Sequence, residues 1–228
     1  MGQRWPKAVI FDLDGTLVDS APDIARAINA AYGTIGIGPF QVREVRNMVG
    51  SGARAALKRA AEMANVLLTE ADEQVVFDQF MAAYADVSAE GNGLYPGARE
   101  LLLELSDRGI RTAVCTNKAE HVAEIALRAL GIIDLLDGFA GQLDGLPKKP
   151  DPAMLHRALL ATGAVVSDTI MVGDSRPDAD VAKAAGIPVI LTTFGYSTIP
   201  LTELAPDATV DHLGEIVPLL PVLGGRLA

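Results

Sequence analysis

Asp12 and Asp14 stand one residue apart in the segment FDLDGTLVDS, followed directly by Gly15 and Thr16. Two carboxylates this close are unfavourable unless a cation is present. Three further polar clusters lie downstream: Thr116, Asn117 and Lys118; Lys149 within KKPDP; and Gly173, Asp174, Ser175 and Asp178. Taken singly, each has an ordinary reading. DG is a common turn dipeptide, Thr is a frequent helix N-cap, a lone lysine is usually solvated, and an acid in a helix's first turn answers the helix dipole. Taken together they supply acids, a hydroxyl, an amide and a lysine. These groups suit an anionic phosphoryl group and a hard cation such as magnesium, which binds oxygen ligands.

The elements that must position these groups are legible in the apolar pattern. Short apolar runs rich in β-branched residues predict buried parallel strands over 7–11, 111–115, 169–173 and 188–191. Helical patterns over 98–108, 119–130, 152–162 and 178–185 each stop before a glycine, the usual left-handed cap. Strands alternating with helices form βαβ units, so the fold class is α/β, a Rossmann-like parallel sheet covered on both faces. The four polar clusters each follow a predicted strand or precede a helix, and open α/β sheets bind ligands beyond their strands' carboxyl ends. One stretch breaks the rhythm. From Pro22 to about Ser88 the pattern predicts helices over 22–32, 41–48, 53–64 and 70–87 and no strand. Ser20, Asp23 and Pro22 form a capping-box start. The expected organisation is a core of residues 1–18 and 93–228 with a small helical cap inserted over 19–92.

Composition narrows the partners. The 228 residues are half apolar, enough to bury a sizeable core, and carry a net charge of −10. Such an acidic surface repels a nucleic-acid backbone, whereas a small phosphorylated metabolite can still be met by local cations. No apolar run reaches the roughly 18 residues of a membrane span, and the N-terminal segment meets charge before it builds a signal-peptide core. The lone Cys115 forms no internal disulfide and reads as a small core residue, which fits a cytoplasmic protein. His121, His156 and His212 lack the spacing of a zinc site and read as structural or surface residues. A monomer and a homodimer are equally compatible with this sequence.

The strings FDLDGTLVDS, VCTNK, KKPDP and VGDSRPDADVAKAAG resemble, in order, the four motifs of the haloacid-dehalogenase (HAD) superfamily. The resemblance spans nearly the whole chain, with the helical insert where that family carries its cap. Finer similarity, to the bacterial phosphoglycolate phosphatases, lies in DSAPD, VGSGARAALKRA and TNK. The resemblance implies a magnesium-dependent phosphatase acting through an aspartyl-phosphate. It makes Asp12 the nucleophile and Asp14 the general acid and base. The metal would be held by Asp12, the Asp14 backbone carbonyl and Asp174, with Asp178 supporting the metal shell or Lys149. Thr116, Asn117 and Lys149 would form the phosphate site. Gly50, Ser51 and Gly52 precede the helix containing Arg54, whose cation is ill-placed in a first helical turn unless an anion docks there. Arg54 is therefore the candidate for a substrate carboxylate. Open alternatives are a phosphatase for another metabolite such as a sugar phosphate, a β-phosphoglucomutase-like phosphomutase, and a non-enzymatic phospho-receiver.

Overall fold

A computed structural model describes residues 4–91 and 93–227. Among the described residues, strands β1 (Ala8–Phe11), β2 (Arg111–Ala119), β3 (Gly138–Gln142), β4 (Thr169–Gly173), β5 (Val189–Thr192) and β6 (Ala208–Val210) form one sheet in the order β3-β2-β1-β4-β5-β6. All neighbouring strands are parallel. The α/β expectation therefore holds. β1 is central, and all four of its residues are buried. The chain leaves β1 to build β2 and β3 on one side, then returns to build β4 to β6 on the other. The strand order reverses at β1, and the crevice at such a reversal is where open parallel sheets bind ligands.

Helices cover both faces. The helices α5 (Ala98–Asp107), α6 (Glu120–Ala129) and α9 (Ile216–Gly224) pack on one face around Phe11, Leu102, Leu127 and Leu220. On the other face α7 (Ala153–Leu159) and α8 (Arg176–Ala185) pack around Ile10, Leu155, Met171 and Val181. This is why the central strands read as continuous apolar runs rather than alternating ones.

The stretch without predicted strands folds as α1 (Ala21–Gly33), α2 (Val42–Arg46), α3 (Ala53–Met63) and α4 (Glu70–Ser88). These helices bury their own cluster, including Ile28, Tyr32, Leu57, Val76 and Phe80, and Val122 of α6 joins it. The Tyr32 hydroxyl, inside that cluster, donates to the Leu57 carbonyl at 2.6 Å and ties α1 to α3. The chain enters and leaves this block side by side: the Asp19 N–H donates to the Gly93 carbonyl at 2.6 Å, and Val18 bridges Leu94. The expected boundary at 92 and 93 touches Asn92, which lies outside the described residues.

Several local expectations are corrected. The capping box at Ser20 does not form. Ser20 is itself helical (φ −85°, ψ −5°), and its side chain makes no cap hydrogen bond. The Ala21 N–H is answered instead by the Tyr196 hydroxyl at 3.0 Å. β2 runs past Cys115 to Ala119 through a register shift against β3, so Thr116 is not the N-cap of α6. The strands β3 and β6 and the helix α9 were not predicted. Two glycines interrupt the apolar run of β3, and β6 spans only three residues.

Leu102 on α5 is fully buried in the sheet-facing cluster. Leu102→Ala should lower stability by about 2–5 kcal/mol through lost burial and a residual cavity, read as a lower urea midpoint with an unchanged slope.

Candidate active site

Asp12 is the first residue past β1 and is 5% exposed. Its Oδ1 accepts the Leu13 N–H at 2.7 Å and lies 2.9 Å from the Lys149 ammonium. Lys149 is also buried and reaches Asp178 Oδ1 at 2.7 Å. Asp174, first past β4, accepts the Tyr196 N–H on Oδ2 at 2.6 Å. One carboxylate oxygen from each of Asp12, Asp174 and Asp178 lies within 4.8 Å of the others. Acids from different parts of the chain thus meet where β1 and β4 end, beside the lysine of the KKPDP loop.

Small residues permit this crowding. A Cβ on Gly173 would stand 2.3 Å from Asp178 Cγ, and one on Gly195 would stand 2.2 Å from Asp174 Cβ. Both glycines are required by close approach to an acid of the cluster rather than by backbone conformation.

The electrostatics show a shortage of positive charge. Burial pushes the Asp12 carboxyl up to about 7; Lys149 opposes the rise, while the charges of Asp178 and Asp14 add to it. Burial likewise holds Asp174 well above the usual carboxylate range, reinforced by Asp178 and Asp12. For Lys149, burial favours the neutral amine, but Asp12 and Asp178 outweigh it and keep the ammonium charged. One lysine therefore faces three buried acids. A hard divalent cation would complete the balance, and the all-oxygen donor set fits one.

The acids differ in how far their oxygens are already used. Asp178 accepts from the Asp174 and Ser175 N–H groups, the Ser175 hydroxyl and Lys149, at 3.2, 3.1, 3.1 and 2.7 Å. These four bonds match the roughly four lone-pair sites of a carboxylate. Asp178 thus anchors Lys149 and the turn into α8, while Asp12 and Asp174 keep more capacity for a cation. The Asp14 carboxylate stands apart from this triad, with Oδ1 3.1 Å from the Lys118 ammonium.

Not every residue singled out in the sequence converges here. Thr116 is buried and lines a cavity with Asp12, Asp14 and Lys118. Asn117 lines it too, but its side chain is already occupied. Its Nδ2 donates to the Gly50 and Lys149 carbonyls at 3.1 and 3.2 Å, and its Oδ1 accepts the Lys149 N–H at 2.9 Å. The Asn117 side chain thus brackets Lys149 and the loop before α3. Arg54 is not brought to the site at all. It is exposed, its guanidinium lies 3.9 Å from the Phe77 ring centroid, and it donates to Gln74 at 3.0 Å. Its first-turn position is explained by cation–π stacking onto α4. The three histidines are exposed, and Cys115 is fully buried, its thiol pushed up to about 12 by burial.

Three residues not singled out as site residues contact Asp174, Asp14 or one another around the site. Tyr196, whose N–H holds Asp174, donates from its hydroxyl to Asp19 at 2.6 Å, beside an Arg46–Asp19 ion pair at 2.8 Å. The segment TTFGYST after β5 is another polar strand end, and that signal could have marked Tyr196. Lys118 belongs to the Thr116–Lys118 cluster, where its type alone points to no role. Tyr84 carries no sequence signal, because only the packing of α4 brings it to Lys118.

A family profile described as haloacid dehalogenase-like hydrolase matches residues 6–186. The phosphoglycolate phosphatase of Rhodospirillum rubrum is 40% identical over 217 residues, covering 92% of this chain and 89% of that protein. That of Agrobacterium fabrum is 37% identical over 212 residues, covering 92% and 91%. The crystal structure of a predicted phosphoglycolate phosphatase from Haemophilus somnus superposes with a TM-score of 0.87 at 32% identity, over 96% of this chain and 99% of that one.

The acid cluster makes a prediction about cation binding and pH. With Asp12 raised from 3.8 to about 7, the metal-free protein should lose stability as pH rises across that interval, because the folded state holds the proton longer. A divalent cation must displace that proton. At a hundredfold excess over its Kd it should raise Tm by about 5–10 °C above pH 7. The gain should shrink as pH falls below about 7, as followed by thermal unfolding with and without the ion.

Proposed function

The chain belongs to the haloacid dehalogenase-like hydrolases and is a phosphatase of that family, and we propose that it hydrolyses 2-phosphoglycolate to glycolate and phosphate with magnesium as its metal. The observation that carries the chemistry is the pairing of buried Asp12 with Lys149 inside the acid cluster, with Asp14 one residue away. The substrate is supported by the relatives that share 37–40% identity over most of their length. We further read residues 1–18 and 93–228 as the catalytic core and 19–92 as a cap over it. The separate apolar cluster of that helical block supports the division.

Asp12 acts as the nucleophile. Its carboxylate oxygen attacks phosphorus as the bond from phosphorus to the alkyl oxygen breaks. Asp14 gives its proton to that departing oxygen, and glycolate leaves. Asp14 then takes a proton from water as the water oxygen attacks the phosphoryl group on Asp12. Phosphate departs and Asp12 is restored. Splitting the displacement in this way replaces one difficult step with two easier ones. Lys149 and the Thr116 hydroxyl hold the phosphoryl oxygens, and Asp178 keeps Lys149 in place. Asp12, Asp174 and the Asp14 backbone carbonyl would hold magnesium, which would supply charge neutralisation, and phosphoryl transfer needs that more than covalent assistance.

A panel of small phosphoesters assayed with magnesium tests the substrate. 2-Phosphoglycolate should show the highest kcat/KM, and a sugar phosphate at the top of the panel would overturn that assignment. Asp12→Asn changes little volume but removes the nucleophile, so multiple turnover should fall to background in a folded protein. Asp14→Asn should slow hydrolysis by about a hundred- to ten-thousand-fold. The loss should be greater for alkyl phosphates than for an aryl phosphate, whose leaving group needs less protonation.

A further inference from the structure

Lys118 is the cation that the proposed chemistry leaves unused, and its surroundings are specific. Its side chain is only 3% exposed. Of its three N–H donors, one meets Asp14 Oδ1 at 3.1 Å and one meets the Tyr84 hydroxyl. No acceptor for the third is found among the described residues. The Tyr84 ring centroid also lies 4.0 Å from Nζ, and Lys118 lines a cavity of about 40 Å³ together with Asp12, Asp14, Thr116, Phe80 and Tyr84. That volume holds roughly three waters.

The chemistry of the substrate locates its tail. In 2-phosphoglycolate the carboxylate is attached to the carbon that bears the departing oxygen. If that oxygen approaches Asp14 to be protonated, the carboxylate must lie close by, among groups of its own charge. Lys118 is the ammonium beside Asp14. Of the other cations, Lys148 donates to the Ser51 carbonyl at 2.8 Å and Arg59 to the Met48 carbonyl at 2.8 Å, Arg54 lies against Phe77 away from the site, and Arg176 lines a different cavity, with Lys149 and Ser175. Resting on the phosphoglycolate reading, we propose that Lys118, assisted by the Tyr84 hydroxyl, binds the substrate carboxylate and so sets specificity for short phosphorylated acids. Burial and the nearby Asp14 charge hold Tyr84 well above the usual phenol range, so its hydroxyl stays protonated and able to donate. Lys118 lies at the end of β2 and Tyr84 lies on α4, so the carboxylate would bridge core and helical block.

The test compares two substrates and two product inhibitors on one preparation. Lys118→Met should lower kcat/KM for 2-phosphoglycolate about ten- to a hundred-fold more than for ethyl phosphate, the expected yield of a charge-assisted hydrogen bond. The inhibition constant of glycolate should rise by a similar factor, while that of inorganic phosphate should move little. Tyr84→Phe, which preserves the packing, should shift both readouts in the same direction by a smaller factor, and it serves if the lysine variant does not fold. A wild-type protein that prefers 2-phosphoglycolate, with variants that keep both that preference and the glycolate constant, would overturn the Lys118 assignment alone. A wild-type protein without the preference would overturn the substrate reading and this inference with it.

Discussion

The constraint on which the rest of the structure depends is the burial of three carboxylates around one ammonium. Asp12, Asp174 and Asp178 are each at most 5% exposed. Isolated charges in such a place are strongly unfavourable, and attraction to Lys149 alone does not offset their burial, since the Asp12 carboxyl is still pushed up to about 7. The fold answers in two ways. It surrounds Asp178 with four hydrogen-bond donors, and it leaves Asp12 and Asp174 with open oxygens. The site is therefore incomplete without further positive charge, which suits a centre that must receive a phosphoryl group.

Holding these acids together requires the sheet to be rigid where they emerge. β1 lies between β2 and β4, with its backbone paired on both sides. Asp12 is itself tied by its N–H to the Val172 carbonyl at 2.9 Å. Gly173 and Gly195 remove the methyl groups that would keep Asp178 and Asp174 apart. Stability and chemistry are thus coupled, because the apolar faces that bury β1 also create the low-dielectric setting in which each charge acts strongly.

The helical block meets this centre through a few polar contacts rather than a broad seam of charge. Arg46 pairs with Asp19, Tyr196 donates to Asp19 while its N–H holds Asp174, and Asn117 reaches the Gly50 carbonyl. The Lys118–Tyr84 contact joins the block to the strand that carries Thr116. Together these bonds link residues near the reacting centre to the helical block and to the loops that flank its helices. Movement of the block would therefore be felt at Asp174 and Lys118 directly.

The sequence by itself determined the central strands, the helical insertion and the acids at the strand ends, and the reason is local. A strand buried on both faces must be apolar throughout, and a ligand site at its end must turn abruptly polar, so ILMV-rich runs followed by Asp12 or Asp174 are visible without coordinates. Only the tertiary structure decided the remainder. β3 and β6 are strands because a neighbour offers its edge, not because GFAGQ or ATV demands it. The first turn of α3 made Arg54 look like an anion ligand, but Phe77, 23 residues away in sequence, takes its guanidinium. The Asn117 side-chain amide is paired with the Lys149 loop, a partner 32 residues away in sequence. Tyr84 acquires its place beside Lys118 from the way α4 packs over the sheet's edge. Side-chain partners distant in sequence leave no periodic trace, because periodicity records which face of an element is buried and not what it is buried against.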